Sequence, residues 1–277
     1  MFKSSKTSWI GLVGGIACVY IAIRMSGDIK TFISWPSIYI TLGGTLAAMI
    51  LSFPPERLKT LWPVMKKAFV NEKFDFEKDI DTITNLAEIT RREGLLALED
   101  AIDKYTDDKF LKKGILLIVD GADKEQLREY METEIYFMQQ RHQKGHAMLD
   151  MIASSVTSLG LMGTYVGLIP MLHSLEDPTK LGPLMAIELV TSFYGAFFAY
   201  VIFMPMSKRL KVMSANEVTR KEFLLEGLTD IEENQNPKMI REKLVFYMIS
   251  NKAMRKLVSE QQNDQLDDKP DKRKEVA

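Results

Sequence analysis

Four long stretches with almost no charged residues constrain this chain more than any other feature. Three of them, 35–55, 151–175 and 181–207, reach the roughly 17–20 residues that a helix needs to cross the hydrocarbon core of a bilayer, and the last of these contains one acid, Glu188. The first stretch, 9–23, reaches that length only with its polar flanks. The sequence therefore predicts an all-α integral membrane protein with four transmembrane helices.

The average composition conceals this pattern. The 277 residues carry a net charge of −1 and 26% charged side chains, as in many soluble proteins, because the charges are concentrated between the apolar stretches. Cys18 is the only cysteine, so a disulfide within the chain is excluded. We expect a lipid bilayer as the main environment and no nucleic-acid partner.

Lysine and arginine predict the orientation in the membrane, because basic segments stay in the cytoplasm. The short connections 24–35 and 176–182 carry only Arg24, Lys30 and Lys180, so we expect them outside and both termini inside. The predicted organisation starts with a membrane hairpin, 1–55, with spans at about 7–26 and 36–54, followed by a cytoplasmic helical domain, 56–150. A second membrane hairpin, 151–207, has spans at about 151–173 and 183–207. A helical cytoplasmic part, 208–258, and a disordered tail, 259–277, follow.

The cytoplasmic segments have helical apolar spacing and helix-capping signals. Residues 56–70 are amphipathic, as in a helix at a membrane interface, and residues 75–93 carry one apolar stripe. Asp123 followed by Gln126 predicts a capping box for a long helix that starts near 124. Asn236-Pro237 fits an N-cap followed by proline at the first helical position.

The third span carries a stripe of small and hydroxyl residues. Thr157, Gly160, Thr164 and Gly167 are spaced by three, four and three positions, which places them on one helix face. Such a face is typical of close helix packing in a membrane, where small residues let two backbones approach. The alternative interpretation is a polar lane for an ion, with hydroxyls and freed carbonyls as ligands.

The fourth span supplies a second wall for such a lane. Thr191 and Ser192 are adjacent hydroxyls in an apolar run, and Pro205 lies near the inner end of the span. Glu188 is the only acid in the four stretches, and carboxylates inside a membrane are functional candidates. Because Glu188 lies early in the span, contact with headgroup water explains it equally well.

Several longer motifs resemble one known family. They are LGLMGTYVGL at 159–168, TSFYG at 191–195 and RREGLLALE at 91–99. Shorter matches are Asp177-Pro178, Gly182-Pro183, Val119-Asp120-Gly121, RHQKG at 141–145 and Gln235-Asn236-Pro237. Together they resemble the MotA/PomA family, the A subunits of the bacterial flagellar stator, over nearly the whole chain up to about residue 250.

The resemblance implies a homo-oligomeric ring, a pentamer, around a dimer of MotB-like B subunits in the bacterial inner membrane. The B subunit carries the ion-binding aspartate, and ion passage drives the ring to push on the rotor protein FliG. By family analogy the ion pathway and partner helix are lined by Thr164, Thr191 and Ser192, with Gly160, Gly167, Thr157 and Glu188 beside them. Pro205 matches a conformational proline, and Arg91, Arg92 and Glu99 match rotor-facing charges, although a solvated helix surface explains those charges as well.

Two departures from the family pattern affect the ion pathway. The family has Ala-Pro where this chain has Val156-Thr157, so one proline of the third span is missing. Sodium-driven members carry an acid at the position of Ser34, so its absence favours protons, whereas Thr191 and Ser192 as sodium ligands favour sodium. We expect H⁺ or Na⁺ as the transported ion and no cofactor.

Two other functions are alternatives to the stator. An energiser of the ExbB/TolQ type has similar third and fourth spans, but it has three spans and lacks the RREGLLALE stretch. A membrane-anchored enzyme would need a catalytic constellation, and His142 with His146 could hold a metal together with Asp150 or Glu134. The sequence contains no H-E-x-x-H, G-x-S-x-G, phosphate-loop or paired-cysteine motif, so we expect no enzyme and no resident metal.

Overall fold

The structure, a computed structural model, describes residues 3–4, 6–71 and 74–250, and these residues are almost entirely helical. The exception is a pair of two-residue antiparallel strands, β1 (Lys3–Ser4) and β2 (Val70–Asn71), which the sequence pattern did not indicate. The α-helices are α1 (Lys6–Ser26), α2 (Trp35–Ser52), α3 (Pro55–Lys67), α4 (Phe76–Glu93), α5 (Ala97–Tyr105), α6 (Lys109–Val119), α7 (Lys124–His173), α8 (Pro178–Glu232) and α9 (237–250). A short 3-10 helix, Ile29–Phe32, connects α1 to α2.

Within the described residues, four helices are long and apolar enough to span a membrane: α1 from Ser8, then α2, α7 and α8. This finding confirms the four predicted spans, including the weakest one. The predicted third span occupies the C-terminal part of α7, and the predicted fourth span lies inside α8. The predicted boundaries at 150 and 207 therefore fall within continuous helices, and the predicted tail 259–277 lies outside the described residues.

Local signals explain where several helices begin and end. Ser34 caps α2, accepting from the backbone N–H of Ser37 at 3.4 Å, and Pro54-Pro55 follow shortly after the helix ends. Gly94, at φ 89°, ends α4, because this backbone conformation favours glycine. The Asp123–Gln126 capping box forms in both directions, at 2.8 and 3.2 Å, and Asn236 caps α9 through the N–H of Lys238 at 3.1 Å.

One helix boundary was not predicted. Apolar spacing predicts a helix over Leu95, Leu98, Ile102 and Tyr105 without marking its end, and in the structure the helix stops at Tyr105 and α6 starts at Lys109. Asp108 is the reason, because its carboxylate accepts from the N–H groups of Phe110 and Leu111 and so caps a new helix.

The chain forms two compact units, and α7 and α8 contribute residues to both. Unit 1 comprises Met1–Lys73 and Phe137–Asn216, and unit 2 comprises Phe74–Tyr136 and Glu217–Ala277. Unit 2 has the larger apolar core, in which Ile83, Leu86, Leu98 and Phe223 are fully buried. In unit 1, a smaller core joins residues of α2, α7 and α8 with Ala68, just after α3.

Candidate functional site

Glycines of α7 bring its membrane segment into backbone contact with α8. A methyl group on Gly160 would lie 2.8 Å from the Cα of Gly195, and one on Gly163 would lie 2.0 Å from Cγ2 of Thr191. A methyl group on Gly167 would come within 3.0 Å of the Cβ of Glu188. These distances leave no room for a side chain, so the glycine face of α7 is a packing surface against α8 of the same chain.

The two predicted hydroxyls of α7 are bonded within their own helix. Thr157 Oγ1 donates to the carbonyl of Ala153 at 2.8 Å, and Thr164 Oγ1 donates to the carbonyl of Leu161 at 2.7 Å. Both side chains are half-buried in the single chain. Close packing therefore accounts for the glycines of the stripe, and the role of the two threonines in an ion pathway stays a prediction.

A buried hydroxyl cluster joins α2 to α8. Thr191 Oγ1 lies 2.8 Å from Ser37 Oγ and 2.5 Å from the carbonyl oxygen of Ile187, and Ser37 Oγ donates to Ser34 Oγ at 2.8 Å. Ser37 and Thr191 have no exposed surface. A hydroxyl has one proton, so Thr191 can donate to one of its two neighbours at a time. This arrangement fixes α8 against α2 through groups that are costly to leave unpaired.

Ser37 of this cluster was not predicted; of the two serines, only the N-cap residue Ser34 was a candidate from the sequence. Ser37, Thr41 and Thr45 recur every four residues and are all buried. Thr41 donates to the Ser37 carbonyl at 2.7 Å, and Thr45 donates to the Thr41 carbonyl at 2.6 Å. The i, i+4 spacing of hydroxyls was the signal that could have found this line. Within it, α2 widens into a π-helical turn over Tyr39–Gly43.

Glu188 and Ser192 lie on α8 on either side of Thr191 in sequence, and both are half-buried. Gly167 of α7 packs against the Cβ of Glu188, so the start of that side chain is enclosed by the hairpin. In the part of the chain that the structure describes, no ion pair of the Glu188 carboxylate is observed. Its predicted roles, ion recruitment or contact with headgroup water, both remain predictions.

Pro205 follows an irregular part of α8. The helix is π-helical over Phe198–Phe203 and returns to α-helical geometry at Met204. A proline has no backbone N–H and removes the bond to the carbonyl four residues earlier, here that of Val201. Such irregular turns are frequently found where a helix bends or functions, which agrees with the predicted conformational role of Pro205 without testing it.

The RREGLLALE stretch forms the turn between α4 and α5. Arg91 and Arg92 lie in the last turn of α4, Glu99 lies in the first turn of α5, and all three side chains are exposed. Leu98 is fully buried and anchors the turn in the core of unit 2. The turn therefore presents charges of both signs on a fixed backbone. This geometry suits a partner surface, but it is also what a solvated turn looks like.

A partly buried ion cluster in unit 2 joins α8 to the first turn of α4 and to the residue that caps α6. Arg220 makes a two-pronged contact with Asp79 at 2.7 and 2.8 Å and a further one with Asp108 at 2.7 Å. Burial opposes the charge of Arg220, but the bonds to both carboxylates raise its pKa above the ordinary value. Burial likewise opposes ionisation of Asp108, and the Arg220 guanidinium nevertheless lowers the pKa of that carboxyl. The cluster was not predicted, because its members lie far apart in sequence.

Of the histidine pair that could have supported an enzyme, His142 has another partner, and so has the third candidate ligand Asp150. His142 Nδ1 lies 3.0 Å from Ser214 Oγ, and Asp150 contacts Ser207 Oγ and Lys211 Nζ, each at 2.6 Å. Burial and the nearby positive groups His142 and Lys211 lower the pKa of His146, although Asp150 opposes them. Among the described residues, no group of three histidine, cysteine or acidic side chains could hold a metal.

Comparison with known proteins places these features in a family. Residues 103–223 match the MotA/TolQ/ExbB proton channel family. Motility protein A of Treponema phagedenis is 34% identical over 87% of this chain and 93% of its own length. The uncharacterized protein YtxD of Bacillus subtilis is 35% identical over 86% of this chain and 88% of its own length.

A solved structure agrees with the sequence comparisons. The flagellar MotAB stator complex from Bacillus subtilis contains a chain that matches this one with a TM-score of 0.82 and 31% identity, over 91% of this chain and 99% of that chain. The match spans both compact units rather than the membrane segments alone. This chain therefore belongs to the motility protein A (MotA/PomA) family, within the MotA/TolQ/ExbB proton channel family.

Proposed function

We propose that this chain is the A subunit of a flagellar stator. With a MotB-type partner it forms an ion channel that converts ion-motive force into flagellar rotation by pushing on the rotor protein FliG. The observation that carries this proposal is the match to a chain of the flagellar MotAB stator complex over 91% of the present chain. Family membership makes the chain a component of an ion channel rather than an enzyme.

The hairpin of α7 and α8 is the part that would face the partner helix. The glycine contacts make the two helices one packed body, so movement of one transmits to the other. Thr191 is fully enclosed by its own chain, and we therefore propose that it acts indirectly, by fixing α8 against α2. Thr164 and Ser192 are half-buried and keep surface for an ion or a partner helix, with Glu188 nearby to attract a cation.

Assembly follows from the same family analogy. A pentameric ring around a dimer of MotB-like subunits would place five copies of this hairpin around the partner helices. The chain would lie in the inner membrane with both termini in the cytoplasm, as the distribution of lysine and arginine predicts. Arg91, Arg92 and Glu99 would then be on the cytoplasmic side, where a rotor protein could meet them.

The coupling ion is proposed to be the proton, with sodium as the alternative. Ser34 provides no carboxylate, and its hydroxyl is already engaged by Ser37 at 2.8 Å. Swimming speed measured against external sodium at fixed pH separates the two ions. Speed that is independent of sodium supports protons, and speed that rises with sodium and saturates supports sodium coupling.

The alternative function, an energiser of the ExbB/TolQ type, shares the wider family. Tagged protein purified from its own host distinguishes the two, because each function requires a different partner. Recovery of a MotB-like protein supports the stator. Recovery of a TonB-linked partner, with no MotB-like protein, would assign the chain to the energisers.

A further inference from the structure

An apolar groove lies between α1 and α8 in unit 1. Its volume is about 470 Å³, within the range of roughly 300–1,000 Å³ that is usual for small-ligand sites. Gly11 and Gly15 form part of one wall, and Tyr200, Ile202 and Met206 form part of the other. The groove is open at the protein surface, so within a membrane it meets either lipid or another protein chain.

One end of the groove carries a permanent positive charge. Arg209 lines the groove and donates from Nη2 to the backbone carbonyl of Val70 at 3.3 Å, which fixes the direction of the guanidinium. An arginine side chain cannot lose its charge at neutral pH, and its planar fork matches the oxygens of a phosphate. The groove thus has an apolar body with a cation at one end. This arrangement complements a phospholipid, whose acyl chain is apolar and whose headgroup is anionic.

Aromatic and basic residues indicate that the charged end lies at headgroup level. Trp9 packs on Phe69, which lines the groove, with ring centroids 4.8 Å apart. Tryptophan is enriched at membrane interfaces. Helix α3, directly before Phe69, contains four basic residues and one acid, Glu56, and Lys66 lies 5.3 Å from the ring of Trp62. A basic amphipathic helix of this kind is attracted to anionic lipid.

We propose that this groove binds an anionic phospholipid of the adjacent leaflet, such as phosphatidylglycerol. One acyl chain occupies the apolar groove between α1 and α8, and the phosphate meets Arg209 beside the basic helix α3. Basic pockets between membrane helices are the sites where anionic headgroups bind. The proposal requires only that these helices span a membrane, and it does not depend on coupling to a rotor.

The test uses photoactivatable lipids on the purified complex with its partner subunit. Phosphatidylglycerol and phosphatidylcholine, each with a diazirine in the acyl chain, are incorporated in separate samples, and the labelled peptides are mapped by mass spectrometry. We expect label on residues 8–15 and 200–206, with phosphatidylglycerol about five-fold above phosphatidylcholine, the factor that one basic residue contributes. Equal labelling by the two lipids in the wild type would overturn the proposal.

Substitutions distinguish the contribution of the Arg209 charge from that of the groove volume. Arg209→Gln should abolish the preference for phosphatidylglycerol, and Arg209→Lys should retain it. Gly11→Phe should fill the groove and remove the label. Gly14→Phe is the matched control, because Gly14 also borders open space but does not line the groove. Equal labelling of the two phenylalanine variants contradicts the proposal.

A second copy of the chain is the competing occupant. A photoactivatable diazirine amino acid placed at Gly11 in the assembled complex reports on it, because neighbouring copies in a ring meet through different residues. Crosslinking of this position to a second copy would show that protein covers the groove, and the lipid proposal would fail. Absence of a crosslinked dimer, together with lipid labelling, supports the proposal. Because the readout is lipid labelling and not swimming, a failure here leaves the stator assignment unaffected.

Discussion

Gly160 of α7 and Gly195 of α8 meet backbone to backbone. A methyl group on Gly160 would lie 2.8 Å from the Cα of Gly195, and one on Gly195 would lie 2.9 Å from the Cα of Gly160. The contact is reciprocal, so neither position can accept a larger residue unless the helices separate. It makes the α7–α8 hairpin a single packed element, which is a requirement for transmitting force through it.

Gly160→Ala should destabilise the protein, because the new methyl group would meet backbone rather than a flexible side chain. We expect a loss of about 1–3 kcal/mol, as for other overpacked sites, measured as a lower Tm of the detergent-solubilised complex. Gly182→Ala is the control, since no atom lies within 4 Å of a methyl group there. An unchanged Tm for Gly160→Ala would show that the hairpin adapts and that the glycine contact is not required.

The Thr191–Ser37 hydrogen bond should contribute to stability by a coupling that is measurable in a double-mutant cycle. Thr191→Val keeps the shape of the side chain and removes the hydroxyl, and Ser37→Ala removes the other partner. We expect a coupling free energy of about 0.5–1.5 kcal/mol. Strictly additive effects of the two substitutions would mean that the 2.8 Å contact contributes nothing specific.

Arg220 should be essential for the stability of unit 2. In Arg220→Met, two carboxylates that are mostly buried lose their counter-charge, which typically costs about 3–5 kcal/mol. Arg241→Met is the matched control, because Arg241 pairs with Asp81 where both side chains are more than half exposed, and such pairs contribute about 0–1 kcal/mol. Similar Tm losses for the two variants would contradict the assigned importance of the buried cluster.

Arg91→Glu should weaken swimming while leaving the fold intact, because the side chain is exposed and lies at the end of α4. A compensating charge change on the rotor protein should partly restore motility. The assay is swarm diameter together with the level of the protein in membranes. Normal motility of the Arg91→Glu strain would show that Arg91 is a solvent-exposed residue without a role in the rotor contact.

The membrane architecture could be predicted because lipid imposes a simple rule on sequence. A helix that crosses a bilayer must be apolar over its length, so uncharged stretches located all four spans, even where the first stretch was short. Two helix starts could be predicted equally well from capping residues, because Asp123, Gln126 and Asn236 bond neighbours only two or three positions away. The break before α6 was missed although the polar run Thr106-Asp107-Asp108 carries capping residues of the same kind.

The partners of side chains could not be predicted, because they are decided by tertiary packing. The spacing of Gly160 and Gly167 showed that they share a face, but it did not show which helix covers that face. Thr191 is enclosed by Ser37 and its own helix in the single chain, a contact that the sequence did not indicate, and its predicted role in lining an ion pathway stays a prediction. Ser37 and Arg220 bond residues more than a hundred positions away. The i, i+4 hydroxyl spacing marks Ser37 as one of a line, but it does not identify Thr191 as its partner.

Deletion of the gene tests the central claim most directly. We predict cells that assemble complete flagella but do not rotate them, with swimming restored by a plasmid copy of the gene. Flagella are counted by electron microscopy, and rotation is scored in tethered cells of a host that carries no second set of stator genes. Normal rotation in that deletion strain would contradict the assignment of this chain as a flagellar stator subunit.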